Sequence, residues 1–285
     1  MLQSMLLGML KYFQGQNEMD NAEEKVSKFY NTVGWETIDG FTEDARKFED
    51  LRKHSENYVR KCRERIFRHI PDHGENILDM ASGPIQWQEY VDYSKNFEKR
   101  YCVDLSSKAL EMAKRRIGDH GVFLHGSFFD IPLQENFFDC ALSIHTIYHM
   151  DKDKQEIAVR KLLHVTKPGK PVIILYDNPT VLFITTAQRI FTKVKRMVKR
   201  SSEEQANSSL YVHAHPLQWW NRFTDIAEVR IFPCRSFGAN IHRRLIPDNR
   251  IGSMMLDILF NLEEAFPKFF AKHFQYPMIV LTKKK

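Results

Sequence analysis

Residues 76–105 read NILDMASGPIQWQEYVDYSKNFEKRYCVDL. An apolar run ends on Asp79, and the small-residue turn Ala81-Ser82-Gly83-Pro84 follows it. A helix-like segment comes next, then a second apolar run that ends on Asp104. A strand, a tight turn, a helix and a strand closed by an acid make a mononucleotide-binding half. The turn opens a helix, where unpaired backbone N–H groups point outward. The two oxygens of a carboxylate such as Asp104 can each accept a hydrogen bond from one hydroxyl of a ribose. The stretch points to a nucleoside-containing cofactor.

Outward from it, the alternation continues. Strands are expected at about 75–80, 100–104, 122–126, 138–144 and 172–176, and helices at about 86–95, from Ser106 or Ser107 to Ile117, and at about 152–166. Ser106 or Ser107 suits an N-cap, and Lys167-Pro168-Gly169 ends the third helix. Strands alternating with helices imply a parallel sheet built from right-handed crossovers. A helix at about 216–223, a strand at about 226–232, a helix at about 251–265 and a last strand at about 277–282 resume the pattern after an interruption at 178–214. In the interruption Phe183, Ile184, Ala187, Ile190, Phe191 and Val194 share one helical face, with Arg189, Lys193, Lys195, Arg196, Lys199 and Arg200 largely elsewhere. Before the sheet, 22–70 reads as mostly helical, since Phe48, Leu51, Tyr58, Val59, Cys62, Ile66 and Ile70 recur near helical spacing. The expected division is an N-terminal helical cap region, 1–70, and a Rossmann-like domain, 71–285, with a lid insertion at about 178–214.

Composition bounds the class. A hydrophobic fraction of 43% with 27% charged residues is that of a water-soluble globular chain. The net charge of +6 permits an anionic partner without requiring one. Cys62, Cys102, Cys140 and Cys234 are not near neighbours, so no paired-cysteine metal knuckle is present. The apolar start, MLQSMLLGMLKYF, lacks the basic flank and cleavage site of a secretory signal. A cytoplasmic setting is expected.

With these residues in place the chain resembles the class I S-adenosylmethionine-dependent methyltransferases. The resemblance rests on an ordered series: ILDMASG, CVDLS, GSFFDIP, ENFFDCALSIHTIYHM and HVTKPGKPVIILYD. It implies an α/β three-layer sandwich around a seven-stranded, mostly parallel sheet whose last strand is antiparallel. It implies S-adenosylmethionine as cofactor and S-adenosylhomocysteine as product. Asp79 would orient the methionine amino group, and Gly83 would let the backbone pass close. Ala81 replaces the family's first glycine, which is tolerated if its φ stays negative. Asp104, with Leu105 beside it, would hold the ribose, although an acid there also suits a plain N-cap. Ser127 and Phe128 would meet the adenine, with a polar turn and core packing as the alternative.

His145, at the end of the fourth strand, would wall the reaction centre, with His149 one helical turn on. His145, His149, His213 and His215 are all candidate bases, since histidine titrates near neutral pH. Tyr30 and Trp35 in the N-terminal region, and His213 and His215, are candidate substrate contacts. His213 and His215 are spaced like metal ligands, but no third ligand is legible and zinc needs three or four, so no metal is expected. Asp177-Asn178-Pro179 looks like the signature of base-methylating relatives, but follows the fifth strand instead of the fourth and is set aside. The expected partner is a small-molecule acceptor, such as a sugar, a lipid-linked intermediate or a secondary metabolite, methylated first of all at oxygen. RNA or protein modification and a non-catalytic cofactor-binding role are the alternatives. A dehydrogenase is disfavoured, because only Gly83 of its three fingerprint glycines is present. The basic 181–200 segment is first a solvated face, then a lid, and only last a membrane contact.

Overall fold

Ile77, Leu78, Asp79 and Met80 are all buried in β1 (Gly74–Met80). A strand with consecutive buried residues is covered on both faces, the mark of a central parallel strand. The computed structural model describes residues 23–181, apart from 25, and 211–285. Around β1 it places β2 (Phe97–Asp104), β3 (Gly121–His125), β4 (Cys140–Ile144), β5 (Pro171–Leu175), β6 (Ala227–Arg235) and β7 (Tyr276–Lys283) in one sheet. The order is β3-β2-β1-β4-β5-β7-β6. Neighbours from β3 to β5 run parallel, and β7 is antiparallel to both β5 and β6. The expected sheet and its reversed last strand are present.

Alternate residues of these strands feed two cores. On one face Leu78, Met80, Val103, Ala141 and Ile174 pack with Val159, Leu162 and Leu163 of α5 (Lys152–Val165) and with Trp220 and Phe223. On the other Ile77, Leu142, Ile173 and Val280 pack with Ile66, Tyr93 and Phe97. That second layer holds α2 (Glu56–Glu64), α3 (Gln88–Asp92) and α4 (Ser107–Ile117). Ser106 caps α4, its Oγ accepting from the Ala109 amide at 3.2 Å, as its sequence position predicts.

Three local expectations change. The helix expected at 86–95 shrinks to α3, because Trp87 is extended and the chain turns at Ser94 to start β2 at Phe97. The helical run to residue 70 breaks between α1 (Glu43–Phe48) and α2, and a short ribbon, Thr37–Ile38 with Phe41–Thr42, precedes α1. The break has a side-chain cause: Asp50 accepts from Ser55 Oγ at 2.7 Å and from Arg52 Nε at 2.8 Å, bonds that compete with a helix. After β6 come α6 (Ala239–Leu245), α7 (Arg250–Ala265) and α8 (Pro267–His273), where one helix was expected. Pro247 and Pro267 divide the run. The expected lid at 178–214 and the basic 181–200 helix lie mostly outside the described residues.

Candidate active site

The carboxyl ends of β1, β2, β4 and β5 open into a cavity of about 350 Å³. Such edges, where strand order reverses, are where open α/β sheets bind ligands. Ala81, Gly83, Ile85 and His145 line it, all with positive φ, at 55°, 57°, 51° and 57°. For Ala81 this overturns the negative φ expected of it. Left-handed conformations at three residues with a Cβ are strained, and such strain gathers at functional sites.

Asp104 closes β2 on the cavity wall. Its Oδ2 accepts from the Gly83 amide and its Oδ1 from the Ser106 amide, both at 2.8 Å. The same carboxylate that faces the cavity thus shapes the glycine turn. Burial raises its pKa to about 6, against the pull of those two amides. Asp79 is buried against Arg100, whose Nε lies 3.1 Å from Oδ2 and whose Nη2 also bonds that oxygen. Both contacts use Oδ2. Leu105, Gly126 and Phe128 line the same end. Ser127 is not on the wall; its Oγ donates to Glu23 at 2.9 Å.

Residues 23–35 close this end from above. Ser27 Oγ donates to the Leu105 carbonyl at 3.5 Å, and Ser106 Oγ to Asn31 Oδ1 at 2.8 Å. Trp35 stacks on Tyr30 with centroids 4.7 Å apart, and its ring lies where a Cβ on Gly83 would come within 3.3 Å. The buried Trp35 Nε1 has no partner. Tyr30 and Trp35 therefore both line the cavity, and Trp35 covers the glycine turn.

The other end is polar and enclosed. His145 Nδ1 meets Tyr148 Oη at 3.1 Å, and burial, with Arg235 nearby, lowers its pKa to about 3. His149 Nδ1 lies 2.9 Å from the Tyr211 carbonyl. A carbonyl only accepts, so Nδ1 carries the proton and Nε2 keeps its lone pair. Burial holds the His149 pKa below its ordinary value.

Glu49, Arg235, Tyr276, Asp44 and Asp177 join them on the wall, and the sequence reading names none of them as site residues. Arg235 Nη1 donates to Glu49 at 2.7 Å. Burial alone would raise Glu49, but Arg235 and Arg63 pull it below its ordinary value. Asp44 receives the Tyr30 hydroxyl at 3.4 Å and is raised to about 7 by burial and by Glu49. Asp177 is raised to about 6 by burial, and its Oδ1 is buried without a partner. Only Asp177 had a sequence signal, in the tripeptide set aside. Its neighbour Asn178 fixes it, donating to the carbonyls of Lys272 and Phe274 at 3.0 Å each.

His213 and His215 are off the wall. His215 stacks flat on Trp219 at 4.6 Å, with His213 edge-on to it at 4.8 Å. Among the described residues no group of three or more metal-ligating side chains occurs.

The strand order and the acid-and-glycine edge of the sheet resemble those of class I, S-adenosylmethionine-dependent methyltransferases. Residues 78–174 match the family described as "Methyltransferase domain", so the chain carries that domain. Geranyl diphosphate C-methyltransferase from Streptomyces coelicolor A3(2), solved with Mg2+, geranyl diphosphate and S-adenosyl-L-homocysteine, is 16% identical, with a TM-score of 0.52 over 92% of this chain and 97% of that one. The DhpI-SAH complex is 13% identical, with a TM-score of 0.54 over 92% and 97%. A methyltransferase from Archaeoglobus fulgidus is 12% identical, with a TM-score of 0.50 over 81% and 95%. At such identities the likeness is one of fold. No curated protein matches the chain by sequence. No helix among the described residues is long and apolar enough to cross a membrane.

The donor set fits the cofactor. A buried carboxylate, a glycine turn and an unpartnered indole N–H surround one end of the cavity.

Proposed function

We propose that the protein methylates a hydroxyl oxygen of a small polar molecule. The observation that carries this reading is the two-ended cavity: a carboxylate-and-glycine grip at one end, and enclosed neutral histidines with Asp177 and Tyr276 at the other. Its volume is that of a small-molecule site. Asp104 holds the ribose through the lone pairs its two amide bonds leave free. Asp79 Oδ1 takes the methionine ammonium while Arg100 holds Oδ2. Gly83 and Leu105 line the nucleoside, Phe128 flanks the adenine, and Trp35 closes over the turn. When bound, S-adenosylmethionine supplies an electrophilic methyl carbon on a sulfonium.

The residues of this chain do the rest. His149 takes the acceptor's proton on Nε2, held in that tautomer by the Tyr211 carbonyl. His145 is too weak a base for that role at a pKa of about 3. It serves as a wall and hydrogen-bonding group beside Tyr148. Asp177 Oδ1 accepts a further hydroxyl of the substrate. The aligned, water-shielded geometry is worth roughly 7–11 kcal/mol in such reactions. Four buried, unpaired cysteines support a reducing, cytoplasmic setting.

The test is incubation with methyl-labelled S-adenosylmethionine and a fractionated cell extract. Label should enter a low-mass product that carries an O-methyl group by NMR. Label found only in RNA or protein, or on nitrogen or carbon, would overturn the reading.

A further inference from the structure

Away from the cavity, α7 carries an apolar stripe that nothing in the chain's described part covers. Ile251, Met254, Met255, Ile258 and Leu262 are 63%, 63%, 40%, 58% and 43% exposed. At about 100° per residue they fall within an arc of roughly 100°. The opposite face is the one that packs: Leu256, with Leu259 and Phe260, meets Tyr58, Val59 and Cys62 of α2. Phe266 and Phe269 extend the apolar surface past the helix end, at 57% and 47% exposed. Single exposed apolar residues need no explanation, but a contiguous row marks an interface. Together these side chains expose several hundred Å², on the order of the roughly 800 Å² that one partner brings to a standard interface.

The spacing selects the occupant. Ile251, Met255, Ile258, Leu262 and Ala265 follow one another by alternating steps of four and three. That alternation is the seam of a helix pair. The flanks argue against lipid. Asp257 is held by Lys61 at 3.1 Å, and Glu264 by Arg65 and Arg68 at 2.8 Å each. An interfacial helix would present a row of free cations there. The stripe can also pair with itself. Antiparallel copies related by a two-fold axis bring Met255 opposite Ile258 and Ile251 opposite Leu262, as an isologous contact requires.

We propose that α7 is a homodimer interface, with two copies of the chain packing their stripes antiparallel across a two-fold axis. No residue of α7 lines the cavity, so both cavities stay open in the dimer. The proposal is independent of the chemistry assigned to the site.

Sedimentation velocity of the full chain from about 1 to 100 μM tests it. The mass should be twice the 33.7 kDa of one chain. Ile258→Glu and Met255→Glu should each raise the dimer dissociation constant at least about a hundredfold, with circular dichroism and melting unchanged. Ile157→Glu, at an equally exposed apolar residue on α5, should leave the dimer intact. All four native cysteines are buried. A Met255→Cys, Ile258→Cys double variant should therefore crosslink between chains under mild oxidation, which keeps the test decisive if a glutamate variant misfolds. A wild-type monomer throughout the range would overturn the proposal. So would a dimer indifferent to both glutamates, or a monomer that floats with phosphatidylglycerol vesicles.

Discussion

Replacing Asp104 tests the cofactor end of the site most directly. Each of its oxygens already accepts one backbone amide at 2.8 Å, so each has one lone-pair direction left for a ribose hydroxyl. Hydrogen bonds to a charged group contribute about 1.5–3 kcal/mol each. Losing two should weaken S-adenosylhomocysteine binding by roughly 10²-fold or more. Asp104→Ala also strips the Gly83 and Ser106 amides of their acceptor, which adds to the loss. The pH dependence supplies a second readout. Burial holds the free carboxyl at about 6, above its ordinary value. Hydroxyl donors favour the ionised form, so affinity is full above about pH 7 and falls as pH drops through 6. At pH 5 roughly one site in eleven is ionised, which makes binding about tenfold weaker. For the free protein the sign is opposite: a raised carboxyl contributes stability below its unfolded pKa and loses it as pH rises through about 6. Added S-adenosylhomocysteine should thus raise the melting temperature more at pH 8 than at pH 5. Calorimetric titration from pH 5 to 8, followed also by fluorescence of Trp35 and Trp87 on the cavity wall, measures both effects. Unchanged affinity in Asp104→Ala, or a pH slope that persists in that variant, would refute the assignment.

Three further outcomes follow from the same geometry. His149→Asn keeps an N–H donor toward the Tyr211 carbonyl but removes Nε2, so kcat should fall about 10²–10⁴-fold with cofactor affinity unchanged; equal turnover would show that the base lies elsewhere. Glu263, fully buried, accepts from Tyr58 Oη and Arg65 Nη1 at 2.7 Å each. Glu263→Ala should cost about 3–5 kcal/mol in urea unfolding, because it removes the buried acceptor shared by Arg65, Tyr58 and Ser236 and leaves Arg65 only the part-exposed Glu264 as an ion partner, and a loss below about 1 kcal/mol would contradict that. Asp44→Asn should stabilise the protein at pH 8 by about 1–3 kcal/mol and flatten its stability between pH 4 and 7, because the wild-type carboxyl is raised to about 7 and its contribution is lost as pH rises through that value; an unchanged pH profile would count against it.

The sheet was legible because its signals are local. Each of β1 to β5 contains a short apolar run, and Ser106 announces α4 by a hydroxyl that bonds three residues on. The breaks near residues 50, 94 and 247 were not legible. They depend on what Asp50 bonds, on how the chain re-enters the sheet, and on prolines inside an otherwise helical pattern. The conformation of Ala81 escapes a local reading for a related reason: its φ of 55° is held by a turn tied to Asp104, over twenty residues away.

The acidic strand ends and the turn between them were determined by sequence alone, since one βαβ unit places them within a single crossover. The polar wall at the other end of the cavity was decided only by tertiary structure. It joins Asp44 and Glu49 before the sheet, His145 and His149 after β4, Asp177 after β5, Arg235 at the end of β6 and Tyr276 at the start of β7. No spacing along the chain links these residues. What links them is the sheet, which brings one end of each strand to the same edge, and burial, which makes Arg235 and Glu49 find each other.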